Sequence, residues 1–167
     1  MKLFHGSNIK VEKPRIIDSG RFLDFGIGFC LTTDFEQAKK WAKSTTKRRE
    51  NGKAVISVFE ISENDIDSLS ILSFDFASKE WLQFVARNRK SIINDLTYDI
   101  IIGPVANDNT MPVITLYLRG AYDEDETIKR LLPQKLKDQV VFKTDKSLEF
   151  LRFMEAIEIW ESICHFF

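Results

Sequence analysis

His5 is one of only two histidines in this 167-residue chain, and Gly6, Ser7 and Asn8 follow it at the end of a short apolar run. An imidazole in that position can exchange hydrogen bonds with a ligand near neutral pH. The adjoining glycine lets a ligand approach the backbone closely. The other histidine, His165, lies in an apolar C-terminal stretch and is a poor catalytic candidate. Two histidines, with Cys30 and Cys164 far apart, argue against His-His-carboxylate metal sites, zinc spacings, disulfide frameworks and paired cysteine nucleophiles. A second group of candidates occupies Asp24 to Ala42: Gly26 and Gly28, then Phe29 and Cys30, then Trp41. Gly26-Ile27-Gly28 lacks the third glycine and preceding strand of a dinucleotide-binding turn, and no Walker loop exists. A permissive loop, a strand and a helix bearing an inward aromatic can wall a flat ligand; the same pieces serve plain packing equally well.

The elements that must position these residues follow from pattern. Lys2 to His5 is a short strand candidate, and Pro14 to Asp24 is a loop containing Arg21. Phe29 to Thr33 has strand composition. Asp34 is placed to cap a helix whose residues Phe35, Ala38, Trp41 and Ala42 recur at three- and four-residue spacing. The basic run Lys43 to Lys53 reads as a solvated helix end. Ala54 to Ile61 and Leu69 to Phe74 are strands. Ser78 opens a helix to about Ser91, with Trp81, Phe84, Val85 and Asn88 on one face. Ile100-Ile101-Ile102, within a strand from Tyr98 to Val105, marks a strand covered on both faces. Pro112 begins a short helix, Asp123 to Leu132 forms another, Asp138 to Thr144 a strand, and Asp145 to about Ile159 a final helix. This irregular alternation indicates an α+β class rather than a doubly wound sheet.

Composition bounds the function. The length suits a single domain spanning residues 1–167, and 44% hydrophobic residues with 14 phenylalanines can fill a core. A net charge of −1 does not indicate a broad basic field for nucleic acid; local patches stay open, and the basic run after the first helix keeps RNA in play. The N-terminus turns polar too soon for a signal peptide, and no apolar run reaches bilayer-spanning length. A cytoplasmic protein without membrane association is expected. The apolar tail from about Glu155 onward suits packing on the core better than a partner-binding face.

Three segments, Leu3-Phe4-His5-Gly6-Ser7, Phe25-Gly26-Ile27-Gly28-Phe29-Cys30 continuing to Ala38 and Trp41, and Asp138-Gln139-Val140-Val141-Phe142, occur in that order. They resemble the signature strands of the ADP-ribosyltransferase fold, in the branch of diphtheria toxin and the poly(ADP-ribose) polymerases. From residue 2 to about 153 the chain also resembles a bacterial family of unknown function, DUF3990, thought to share that fold. The matching motifs are His5-Gly6-Ser7, Asp24-Phe25-Gly26-x-Gly28-Phe29, Gln37-Ala38-x-x-Trp41-Ala42, Tyr98 to Asp108, and Asp138-Gln139.

The resemblance implies an ADP-ribosyltransferase-like split β-sandwich with flanking helices, NAD as co-substrate and mono-ADP-ribosyl transfer. By it, His5 would bond a hydroxyl of the adenosine-side ribose, and Gly6 would clamp the nicotinamide carboxamide through its backbone. Trp41 takes the position of an aromatic that stacks on nicotinamide, with Ala38 where relatives often carry a serine. Gln139 would bond the nicotinamide ribose and stabilise the oxocarbenium-like state. Ser7, Gly28 and Phe29 complete the NAD-contacting set, and the charge and placement of Arg21 suit the pyrophosphate or, equally, solvent. Cys30, counted with His5 and Gln139 as catalytic, stands where the fold usually has a stacking tyrosine, and Phe29 could compensate. Gln139 in place of glutamate argues against chain synthesis. The setting implied is the toxin of a bacterial toxin–antitoxin or phage-defence pair, with a cognate antitoxin protein. The acceptor remains open among protein, nucleic acid and small molecule. A degenerate module that binds NAD, ADP-ribose or a partner without turnover is the alternative; a purely structural protein is a third.

Overall fold

Leu3 and Phe4 lie in the strand β1 (Lys2–Ser7) of a computed structural model that describes residues 1–18, 20, 23–91, 96–106 and 109–160. β1 pairs antiparallel with β3 (Val55–Glu60), and β3 pairs on its other side with β7 (Arg152–Glu158), giving a three-stranded sheet. A second sheet runs β2 (Phe29–Leu31), β6 (Asp138–Phe142), β5 (Ile100–Pro104), β4 (Ile71–Ser73). Its pairings are antiparallel except β4 with β5, which are parallel. The result is a mixed α+β fold with two sheets and, among the described residues, six helices.

The inner faces of the sheets meet in one cluster: Leu3 and Phe59 from the first, Phe29, Leu31, Ile100, Val140 and Phe142 from the second. Side-chain alternation then sends Ile101 and Val141 to the opposite face. There they pack on α3 (Lys79–Lys90), α4 (Met111–Leu118) and α5 (Glu124–Leu131) through Trp81, Leu82, Val85, Ile114 and Leu131. The isoleucine run of β5 is therefore covered on both sides, as its composition requires. Trp81 places its one polar atom by donating Nε1–H to the Pro104 carbonyl at 2.9 Å.

α1 (Phe35–Arg49) covers the first sheet. Asp34 caps it, its Oδ1 accepting from the Gln37 N–H at 2.7 Å. Ala38 and Ala42 are fully buried against Ile56 and Val58. Two small residues one turn apart bring the helix axis close to the sheet. The basic run at the helix end is solvent-exposed, as its charge demands.

Two differences from the sequence reading stand out. α2 (Glu63–Asp67), a single capped turn, carries too little periodicity to be seen. The final helix expected from Asp145 to about Ile159 ends at once: only α6 (Asp145–Leu148) is helical, and Arg152–Glu158 is β7. Leu, Met, Glu and Ala favour helix locally. Against them stands the free edge of β3, a buried strand whose backbone groups need partners. Sheet pairing wins, with a register shift between Val58 and Phe59 that lets Phe153 reach the core ring of Phe59. The last residues of the apolar tail, from 161 onward and including His165, lie outside the described residues.

Candidate functional site

β1 and β2 touch at one point. Phe4 N–H donates to the Thr32 carbonyl at 2.8 Å, and Thr32 N–H returns a bond to Phe4 at 3.0 Å. One residue further the ladder stops, and the His5 side chain spans the gap instead. Its ring stacks on Phe29 (centroids 4.4 Å apart, planes at 25°), and Nδ1 lies 2.8 Å from the Cys30 carbonyl. A carbonyl only accepts, so Nδ1 carries the proton and Nε2 of the neutral ring is an acceptor. Burial holds the ring below its ordinary pKa of 6.5; the Cys30 carbonyl opposes this and Arg49 reinforces it. The neutral ring offers an acceptor to a hydroxyl at pH 7.

That depression has a measurable consequence. Between 6.5 and the lowered folded value, the unfolded chain binds more protons than the native one, so stability is lost as pH falls through this window. Denaturant midpoints from pH 7.5 down to 5 are expected to fall more steeply for the parent than for His5→Asn. Parallel profiles would show that His5 titrates normally.

The divergence of the two strands opens a cleft of about 360 Å³. His5 and Gly6 of β1, Cys30 of β2, Gln139 of β6 and Trp41 of α1 all line it. Gln139 is buried and donates from Nε2 to the Cys30 thiol at 3.4 Å, which leaves Oε1 as its electronegative end. The preceding residue, Asp138, is spent elsewhere: its carboxylate accepts from the Thr32 hydroxyl at 2.8 Å and the Thr33 hydroxyl at 2.6 Å. This fixes the start of β6 and therefore the position of Gln139.

The far wall holds charge. Asp24, 4% exposed, accepts from Arg89 Nε at 2.6 Å and from the Ala106 N–H at 2.9 Å. Burial pushes its carboxyl upward while Arg89 and the Ala106 amide pull it back toward the ionised form. The pair fixes the Arg89 guanidinium in the cleft wall, and Arg48 lines the cleft from α1. Sequence reasoning missed Arg48 and Arg89. Asp24 and Arg89 are 65 positions apart, and no local spacing pairs them; the one clue was a carboxylate at the head of an apolar turn. Arg21, the cation named from sequence, lies outside the described residues.

Four other sequence candidates do not line the cleft. Ala38 is buried on the face of α1 that packs on the first sheet. Ser7 is buried, its hydroxyl 3.5 Å from Asn8 Oδ1. Phe29 supports the His5 ring from below. Gly28 packs against β6, where a Cβ would run into Val141 and lie 2.7 Å from the Phe142 carbonyl. These residues shape the site without facing it. Among the described residues no cluster of three or more His, Cys, Asp or Glu is arranged to hold a metal, and no helix is long and apolar enough to cross a membrane.

A family model described as "Protein of unknown function (DUF3990)" matches residues 1–153. No curated protein and no solved structure matches the chain.

Proposed function

We propose that this chain, which belongs to the DUF3990 family, is an NAD-dependent mono-ADP-ribosyltransferase that binds NAD in the cleft around His5. One observation carries the reading. His5, Gly6, Cys30, Trp41 and Gln139, drawn from four separate elements, line the same cleft. They are five of the nine described residues to which the likeness with ADP-ribosyltransferases assigns a part in the site; Ser7, Gly28, Phe29 and Ala38 lie behind the wall. The two sheets parting between β1 and β2 are compatible with that split-sandwich fold.

In this reading the neutral His5 ring accepts from a ribose hydroxyl, the Gly6 backbone holds the nicotinamide carboxamide, and Trp41 stacks on the nicotinamide. The glycosidic bond to nicotinamide breaks, and nicotinamide leaves with the bonding pair. The cationic ribose carbon faces the Gln139 amide oxygen until an acceptor lone pair forms the new bond and the acceptor releases one proton. Preorganised dipoles at the place where charge develops are what such a step requires. A neutral amide suits one transfer rather than chain growth. Toxin action in the cytoplasm, restrained by a cognate antitoxin, is the setting that the same likeness supports.

The test is incubation with NAD labelled on the adenylate, in a cell extract, following free nicotinamide and the label. Nicotinamide release with labelled macromolecule is expected, and Gln139→Ala should cut release by about 100-fold. Unchanged release in Gln139→Ala would remove Gln139 from the mechanism. A second reading, a binding module without turnover, is favoured by Cys30, whose thiol fills less space than a stacking tyrosine. It expects saturable NAD binding with no nicotinamide released.

A further inference from the structure

Net positive charge is concentrated in one segment of this chain. Residues 39–53 hold seven Lys or Arg and one acidic residue, Glu50, whereas the whole chain carries −1, so the remainder is net negative by seven. The fold places part of this segment on a groove of about 560 Å³ between α1 and the end of β7. Lys43 and Lys47, one helical turn apart, line one side and Lys53 another. Trp160, 76% exposed, lies at the groove with Lys53 Nζ 5.3 Å from its ring centroid. Glu158 pairs with Lys53 at 3.2 Å. Ser44 lines both this groove and the cleft around His5, so the two lie side by side along α1.

We propose that this groove binds single-stranded RNA and leads it to the cleft as the acceptor of ADP-ribose. Lysines along a helix face and an exposed indole are the two components of a single-strand track: cations for phosphates, and a π-face on which any base stacks. An acidic protein would use the lysines but has no need of the indole. Glu158 would repel a phosphate, yet its carboxylate accepts a hydrogen bond from a 2′-hydroxyl, the group that separates RNA from DNA. The binding claim stands on the groove alone; the acceptor claim rests on the transferase reading of the cleft.

The experiment uses the full chain and a fluorescein-labelled 12-mer oligoribonucleotide of mixed sequence, first without NAD. Anisotropy should show binding that weakens about 20-fold between 50 and 200 mM salt if three lysines meet phosphates. Trp160→Ala should weaken it at least about fivefold, and Lys43→Glu/Lys47→Glu should flatten the salt dependence. All of these residues are exposed, so unchanged melting temperatures are expected. No binding, or polyglutamate binding as well as the oligonucleotide and indifferent to Trp160→Ala, would overturn the RNA site. Equal affinity for the DNA 12-mer would overturn the assignment to RNA. Nicotinamide release and label transfer to the 12-mer are then measured with NAD, both with and without the RNA. RNA binding without nicotinamide release refutes the cleft reading and leaves the groove. Release with no label on bound RNA refutes the acceptor claim alone.

Discussion

If the cleft binds NAD as proposed, NAD is expected to raise the melting temperature of the parent, and His5→Ala to abolish that rise and to reduce nicotinamide release at least about 100-fold. The substitution removes three things together: the Nε2 acceptor, the ring stacked on Phe29 and the Nδ1–H bond to Cys30. Losing the last removes a hydrogen bond where β1 leaves β2, at a cost of about 1 kcal/mol. Loss of activity from alanine alone would therefore be ambiguous. His5→Asn separates the effects, because its amide N–H can reach the Cys30 carbonyl while nothing replaces Nε2. The asparagine variant should melt closer to the parent than the alanine variant and still fail to bind NAD. If NAD protects both variants as it protects the parent, the cleft around His5 is not the NAD site.

Gly6→Ala carries the largest expected loss of stability. A Cβ at Gly6 would clash with the Ala38 carbonyl oxygen and lie 2.8 Å from Ala42 N, both backbone atoms of α1. Helix backbone cannot turn aside as a side chain can, so α1 must lift from β1. Overpacking of this kind costs about 3 kcal/mol, and for a chain of this size that lowers the melting temperature by about 10 °C. Thermal unfolding or a denaturant midpoint measures it. A Gly6→Ala variant as stable as the parent would show that α1 rides higher on the sheet than described. The result also bears on function: since Gly6 is glycine for helix packing, lost NAD binding in this variant reports a displaced wall, not a missing ligand contact. Trp41, Thr45 and Arg48 line the cleft from the same helix and would move with it.

Much of the local structure was legible. Asp34, Ser78 and Asp123 cap helices where their side chains predicted, since a cap bonds an N–H only a few residues away. Ile100-Ile101-Ile102 announced a doubly covered strand because alternate side chains must find apolar partners on both faces. Residues 145–159 misled for a physical reason: their helix preference is local, and the demand of the β3 edge comes from a strand about a hundred residues earlier. The site divides in the same way. His5, Cys30, Trp41 and Gln139 could be named from short motifs, but Ala38 and Trp41, three apart on one helix, could not be told apart. A helix face wide enough to include both is split by the sheet below it, which buries Ala38 and leaves Trp41 at the cleft.

The sequence by itself determined the α+β class, most strand and helix positions, the exposed basic run and the short list of residues able to meet a ligand. Each depends on periodicity, capping or residue chemistry within a few positions. Only the tertiary structure decided which candidates share a cleft, that Asp24 holds Arg89 in its wall, and that the basic run and Trp160 edge a groove beside it. Those relations join residues from separate elements, Asp24 and Arg89 being 65 positions apart, through the parting of β1 from β2 and the pairing of β7 with β3. Distances across a fold are set by what the sheets must bury and pair, and no local pattern encodes them.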